Sequence, residues 1–243
     1  MILFRTPHPS AKSITLENRP NIKVMVRHGA SKKARLSNKK YPYEINSIEA
    51  INRNADKPRM KQIFVENGIA TPECLDNTPE NREIFKQNKW NVVFKKRDHK
   101  RAIGMEILPL SDIDKLADGK YNGGIIERRI NVAREWRVHC CPKLKENYSL
   151  EKRRRLSAAG NPIRNLENCI FKEDFIAPPN WQEALELCYK AVAAIGLDVG
   201  AVDLAYTGQK FYIIETNSGA GLGEKSRAWY AEIYQKLVDS IEQ

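Results

Sequence analysis

The chain has no apolar stretch near the roughly 20 residues needed to cross a bilayer. Its N-terminus, MILFRTPHPSAKS, turns to proline and polar residues after a short apolar start. It therefore lacks the apolar core of a secretory signal, and a cytoplasmic protein with no membrane partner is expected. Cysteine is sparse and unpatterned: five residues (Cys74, Cys140, Cys141, Cys169, Cys188), an odd number with no C-x-x-C pair. That argues against a disulfide framework and a thiolate zinc site, leaving reduced, mostly buried thiols. The four histidines, His8, His28, His99 and His139, form no spaced cluster, so no zinc or iron site is expected. Internal repeats and low-complexity tracts are absent. Aromatic residues do not interleave with the basic runs, a shortage that weakens a nucleic-acid stacking surface.

What is present is charge and enough apolar residues for a core. The 243 residues are 42% hydrophobic and 29% charged, sufficient for one large domain or two small ones. Net charge is +11 with a pI near 9.4, a balance that attracts nucleic acid, nucleotides or acidic peptides. The basic residues gather at Lys32, Lys33, Arg35, Lys39 and Lys40, in the RDHKRAI stretch, and at Lys152, Arg153, Arg154 and Arg155. The run at 32–40 reads first as a solvated basic loop, with phosphate or nucleic-acid contact second; the RDHKRAI stretch reads as a clamp over phosphates or as a solvated hairpin tip.

The most informative stretch is residues 199–226, VGAVDLAYTGQKFYIIETNSGAGLGEKS. AVDLAY and FYIIET, joined by a Thr-Gly-Gln-Lys turn, predict a β-hairpin. Glu215 and Asn217 are two apart and share a face of an extended strand, and Asp203 on the partner strand comes within reach of them. Such an all-oxygen set suits Mg²⁺, which ordinarily keeps substrate phosphates as further ligands. The glycine-rich turn that follows lets backbone amides approach an anion.

The remaining chain supplies elements around this hairpin. Residues 1–55 look short of core, with one strand at 22–26. Ser47 caps a short helix, and Asp56-Lys57-Pro58 opens another whose apolar side is Met60, Ile63, Phe64 and Ile69. Lys57 at a helix N-terminus opposes the macrodipole unless an anion is held there. Strands are expected at 90–96, 104–108, 125–130 and 136–141, with a short helix at 111–118. Arg137 in an apolar strand needs an anionic partner. Helices follow at 181–195, ended by Gly196, and at 226–242, with Trp229, Ile233, Leu237 and Ile241 on one face.

In this order the pieces resemble the ATP-grasp carboxylate–amine ligases. The likeness is nearest to the branch that holds the glutamate ligase of a ribosomal protein and the carrier ligases of lysine biosynthesis. It spans about residues 45–226. INSIEAINRNADKPRMKQIFVENGIATP resembles the branch's entry segment, and VVFKK the strand whose lysine reaches the phosphates. The resemblance thus assigns Lys57 and Lys95 to phosphates. In IIERRI it assigns Glu127, Arg129 and Ile130 to adenine; in EWRVHC, Glu135 to ribose and Arg137 to the transferring phosphoryl group. Arg154, Arg155, Arg164 and Asn165 resemble an R-R…R-x-N segment serving the substrate and γ-phosphate. D-x₁₁-E-x-N is the family's metal signature, carried by Asp203, Glu215 and Asn217, with Ser218 and Gly219 beginning a turn for the substrate.

The implied fold is α+β: an ATP-grasp fold in which two α+β subdomains clasp ATP, after a reduced N-terminal α/β segment. The implied boundaries are 1–55 for that segment and 56–243 for the grasp domain, with a lid at about 90–130 and a metal- and substrate-binding part at about 131–243. The implied cofactors are ATP and Mg²⁺, with Mn²⁺ as an alternative. The implied chemistry turns a carboxylate into an acylphosphate with release of ADP, after which an amine displaces phosphate to form an amide. The partners would be ATP and an amino acid, peptide or protein, and a polyanionic acceptor is also compatible with the charge. Two other readings stand beside it: a basic nucleic-acid-binding protein, and a phosphotransferase of the same fold that does not ligate. The sequence departs from the family in its phosphate loop, where only Gly104 remains and Lys100 or Arg101 supplies charge, and in Ala220, where a proline is usual.

Overall fold

The computed structural model describes residues 1–19, 21–29, 41–97, 104–158 and 168–241. The basic run at 32–40, the loop with Lys100 and Arg101, and Arg164 and Asn165 lie outside the described residues.

The helices begin and end where their caps dictate. Ser47 accepts from the Ala50 amide to start α1 (Ile48–Ala55), and Asp56 accepts from the Arg59 amide to start α2 (Lys57–Glu66). Thr78 does the same for α3 (Pro79–Gln87), and Gly196, at φ +83°, closes α4 (Trp181–Ile195). The last helix, α5, is Glu224–Asp239. Residues 110–117 form 3₁₀ turns rather than the α-helix expected nearby. No helix among the described residues is long and apolar enough to cross a membrane, and all five cysteines are free.

Twelve strands among the described residues form three sheets. β1 (Ile2–Arg5), β2 (Val24–Arg27) and β3 (Tyr43–Ile45) are parallel, in the order β1-β2-β3. Alone they would leave apolar side chains exposed, as the composition of residues 1–55 implies. They are covered by α5: Val24, Val26 and Ile45 pack with Tyr230, Ile233, Tyr234 and Leu237. A second, antiparallel sheet has the order β4-β7-β5-β6, from β4 (Cys74–Asp76), β5 (Val92–Lys95), β6 (Glu106–Leu108) and β7 (Ile125–Arg128). Its core is Phe85, Val92, Phe94, Ile113, Leu116 and Ile126.

The third sheet carries most of the charged residues of interest. Its order is β10-β9-β8-β11-β12, all antiparallel, from β8 (Arg134–Cys141), β9 (Glu146–Arg154), β10 (Cys169–Lys172), β11 (Gly200–Tyr206) and β12 (Phe211–Asn217). Side chains alternate between its faces. Trp136, Val138, Cys140, Val202, Leu204 and Ile213 join the core beneath α4 and α2. Glu135, Arg137, His139 and Asp203 occupy the intervening positions and project to the other face.

A buried asparagine ties the N-terminal sheet to β11. Asn46, at φ +58°, donates to the carbonyls of Arg27 and Val199 and accepts from the amides of Asp198 and Val199. Two buried histidines lie nearby. His28 Nε2 donates to the Ala220 carbonyl at 2.9 Å, so its Nδ1 accepts from Tyr234 Oη at 3.1 Å. Burial pulls His28 down from 6.5 to about 4, and burial next to Arg137 pulls His139 down to about 3. Both fold neutral. Below pH 6.5 the unfolded chain takes up protons that the native state refuses, so stability falls as pH drops toward about 4. The loss should reach about 1.4 kcal/mol per pH unit per histidine. Denaturant titrations at several pH values should show it, and His28→Phe should flatten the slope.

Candidate active site

The register of the large sheet assembles the site. Asp203 lies opposite Glu215 on one side and Arg137 on the other, while Ala201 lies opposite Asn217 and His139. The three oxygen side chains of the D-x₁₁-E-x-N pattern are therefore brought to adjoining rows of one face. Arg137 grips Asp203 with two hydrogen bonds, Nε to Oδ1 at 2.8 Å and Nη2 to Oδ2 at 3.0 Å. Lys57 Nζ sits 2.8 Å from Glu215 Oε2, and Asn217 donates to Oε1 at 3.2 Å. The anions that Arg137 and Lys57 needed are thus carboxylates of the chain itself. Burial works against the Glu215 charge, but Lys57 and Lys95 more than offset it and hold the carboxyl well below its ordinary value. Burial likewise opposes the Arg137 charge, and Asp203 overcomes it.

The small sheet contributes the opposite wall. Lys95 of β5 donates to Glu127 Oε1 at 2.8 Å, and Lys61 of α2 lies 3.2 Å from Oε2. Lys61 is almost fully buried and also donates to Thr71 Oγ1 at 2.8 Å. Burial lowers its pKa despite Glu127, whereas for Lys95 the same carboxylate prevails over burial and raises it. Glu127 is buried too, yet Lys61 and Lys95 hold it ionised below its usual range. Glu135 pairs with the buried Lys152 at 2.5 Å.

Of the residues singled out in the sequence, Lys57, Lys95, Glu127, Glu135, Arg137, Asp203, Glu215 and Asn217 meet in this charged layer. Arg129 is exposed and Ile130 lies just beyond the end of β7. Arg154 ends β9 opposite Cys169, its Nε buried without a partner among the described residues, while Arg155 is exposed. Lys61 and Lys152 join the layer without a motif that marks them. The signal for Lys61 was its spacing of four from Lys57, which puts both on one side of α2. Lys152 was hidden in a basic run that reads as surface.

The turn after Asn217 is held by the N-terminal sheet. The Gly29 amide donates to the Ser218 carbonyl at 2.8 Å, His28 to Ala220, and the Leu222 amide to Ser10 Oγ at 2.9 Å. A Cβ on Gly219 would lie 2.6 Å from Gly29 Cα and 2.9 Å from its nitrogen. Gly219→Ala should therefore force the two backbones apart and cost about 1–3 kcal/mol. Thermal unfolding would read the cost, and faster hydrogen exchange at Gly29 would locate it. Beside this turn a cleft of about 230 Å³ is lined by Arg137, His139, Tyr148, Phe171 and Gly221. His139 Nε2 is buried there with no hydrogen-bond partner among the described residues.

The donor set fits Mg²⁺. Two carboxylates and one amide, all able to offer hard oxygen donors, occupy adjoining rows of one face. Among the described residues no three His, Cys, Asp or Glu side chains gather into a metal-sized group. Two carboxylates and one amide would leave several positions to other oxygens, as expected of a metal shared with phosphates.

A small antiparallel sheet and a larger one share this charged layer, and solved structures with the ATP-grasp fold are built the same way. No protein-family model and no curated protein matches the chain, but solved structures do. One is a D-alanine–D-alanine ligase from Bacillus anthracis complexed with ATP, at 16% identity, TM-score 0.64, covering 90% of this chain and 77% of that one. Another is the macrocyclase MdnC from Microcystis aeruginosa bound with its precursor peptide MdnA, at 14% identity and TM-score 0.62, covering 88% and 78%. A third is the ATP-grasp ligase PsnB complexed with a minimal precursor, at 13% identity and TM-score 0.57, covering 81% and 70%.

Proposed function

We propose that this protein is an ATP- and Mg²⁺-dependent carboxylate–amine ligase of the ribosomal-protein glutamate ligase-like type, forming an amide through an acylphosphate. The observation that carries the reading is the in-register convergence of Asp203, Glu215 and Asn217 opposite Lys95 and Lys57. Lys57 and Lys95 would take the phosphates, and the backbone around Arg129 and Ile130 the adenine. Glu135 would contact ribose. Asp203, Glu215 and Asn217 would hold Mg²⁺, or Mn²⁺ in its place, which neutralises phosphate charge when bound.

The other residues act by position and charge, and no nucleophile of the chain is required. Arg137 would steady the phosphoryl oxygens from the floor of the cleft. Arg154 is better placed than Arg155 to assist, because its Nε is buried and unpartnered among the described residues. Ser218 and Gly219 would present the turn to the carboxylate substrate, with Arg164 and Asn165 as further candidates. The cleft beside that turn would receive the acceptor, an amino acid, peptide or protein; the peptide complexes of MdnC and PsnB favour a peptide. We assign residues 1–55 to an N-terminal segment and about 131–243 to the metal- and substrate-binding part; the lid, expected at about 90–130, takes in β4 and α3 as well, since β4 pairs with β7 and Phe85 packs in the same core. The nucleic-acid reading loses part of its footprint, since Lys152 and Arg153 are engaged by Glu135 and Glu151.

The test is ADP release screened over amino acids and short peptides, with mass spectrometry of the products. ADP accompanied by an amide is expected. ADP with a phosphorylated product and no amide would make the protein a phosphotransferase, and no ADP with any of them would contradict the proposal.

A further inference from the structure

Every carboxylate oxygen of the candidate metal set accepts a hydrogen bond or ion pair from the chain. Asp203 Oδ1 and Oδ2 face Arg137 Nε and Nη2. Glu215 Oε1 faces Asn217 Nδ2, and Oε2 faces Lys57 Nζ. The surrounding charge points the same way. Four carboxylates, Asp203, Glu215, Glu127 and Glu135, are matched against five cations, Arg137, Lys57, Lys61, Lys95 and Lys152. With all nine groups ionised the layer carries one net positive charge, and without Lys61 it is neutral; neither balance attracts a free dication, and the cations favour a polyphosphate. Of the two cations on the metal set, Arg137 is held in a two-point grip in the middle of the sheet. Lys57 reaches Glu215 from the first position of α2 through a single contact, its Nζ on Oε2. Lys57 is therefore the cation that can change partners.

We propose that Lys57 is the resident counter-cation of Glu215 and sets the order of loading. The metal seat is closed to free metal until a nucleotide phosphate draws the Lys57 ammonium away, so metal and nucleotide enter together. The inference rests on the ligase reading of the same site, but its test needs neither turnover nor an identified acceptor.

The experiment measures Mn²⁺ binding by electron paramagnetic resonance, with metal alone and with metal plus a non-hydrolysable ATP analogue. The wild type should bind Mn²⁺ weakly alone and much more tightly with the analogue. Lys57→Gln should tighten binding of Mn²⁺ alone by about tenfold or more, the factor expected for removing one positive charge a few Å from a dication even in water. Adding Glu215→Gln to Lys57→Gln should abolish that gain, which locates it at this seat. Circular dichroism would confirm that each variant is folded. Lys57→Gln binding Mn²⁺ alone no tighter than wild type, with the analogue still promoting wild-type binding, would overturn the loading order and leave the ligase reading standing. Failure of the analogue to promote metal binding in the wild type would overturn both.

Discussion

Asp203→Asn and Glu215→Gln are each expected to reduce ATP-consuming turnover by about 10³-fold or more. Each removes one charge from the oxygen set while keeping its shape. The amide changes are preferable to alanine for a physical reason. Asp203 is the two-point partner of Arg137 on the floor of the cleft, so Asp203→Ala removes both the counter-charge and every acceptor and should cost about 3–5 kcal/mol of stability, whereas Asp203→Asn also loses the counter-charge but keeps one acceptor oxygen and should cost less. A solvated hairpin carboxylate would tolerate alanine with the fold intact. The Arg137 pairing alters that expectation, because one carboxylate serves both the site and the sheet. Steady-state ADP release beside thermal unfolding separates the two effects, and near-wild-type turnover in either amide variant would remove the metal assignment.

The largest expected loss of stability lies on the other wall. Glu127 is nearly buried and is the shared partner of Lys61 and Lys95. Glu127→Ala leaves two ammonium groups without their counter-charge and should cost about 3–5 kcal/mol, a fall in melting temperature of about 10 °C for a chain of this size. Adding Lys61→Met should recover part of the loss, since the stranded charge is then gone. A double-mutant cycle measured by denaturant unfolding would show a coupling well above the few tenths of a kcal/mol expected of independent sites. Simple additivity would mean that the three groups do not form one unit.

Elements with local signals could be read in the sequence. The caps of α1 and α2, the Gly196 stop of α4 and the β11–β12 hairpin depend on residues within a turn of one another, and each formed as expected. The elements without a local signal depend on distant partners. β9 reads as a charged run because its polar residues are satisfied from other segments: Glu151 by Arg134 and Lys152 by Glu135. β4 is three residues long and is defined by its pairing with β7. β1 and β3 find much of their core on α5, more than 170 residues away. At the site, residue types and spacing indicated which side chains converge. What they could not indicate is that the carboxylates are already held by Arg137 and Lys57, because that depends on cross-strand register and on where α2 docks.

The central claim is that nucleotide and metal share the layer between the two antiparallel sheets. It is tested most directly by an anomalous-scattering map from crystals grown with Mn²⁺ and a non-hydrolysable ATP analogue. The expected result is a manganese peak within coordinating distance of Asp203, Glu215 and Asn217, bridged to phosphates that also touch Lys95, with the base beside residues 128–130. A nucleotide bound elsewhere, or a manganese peak away from those three side chains, would contradict the claim.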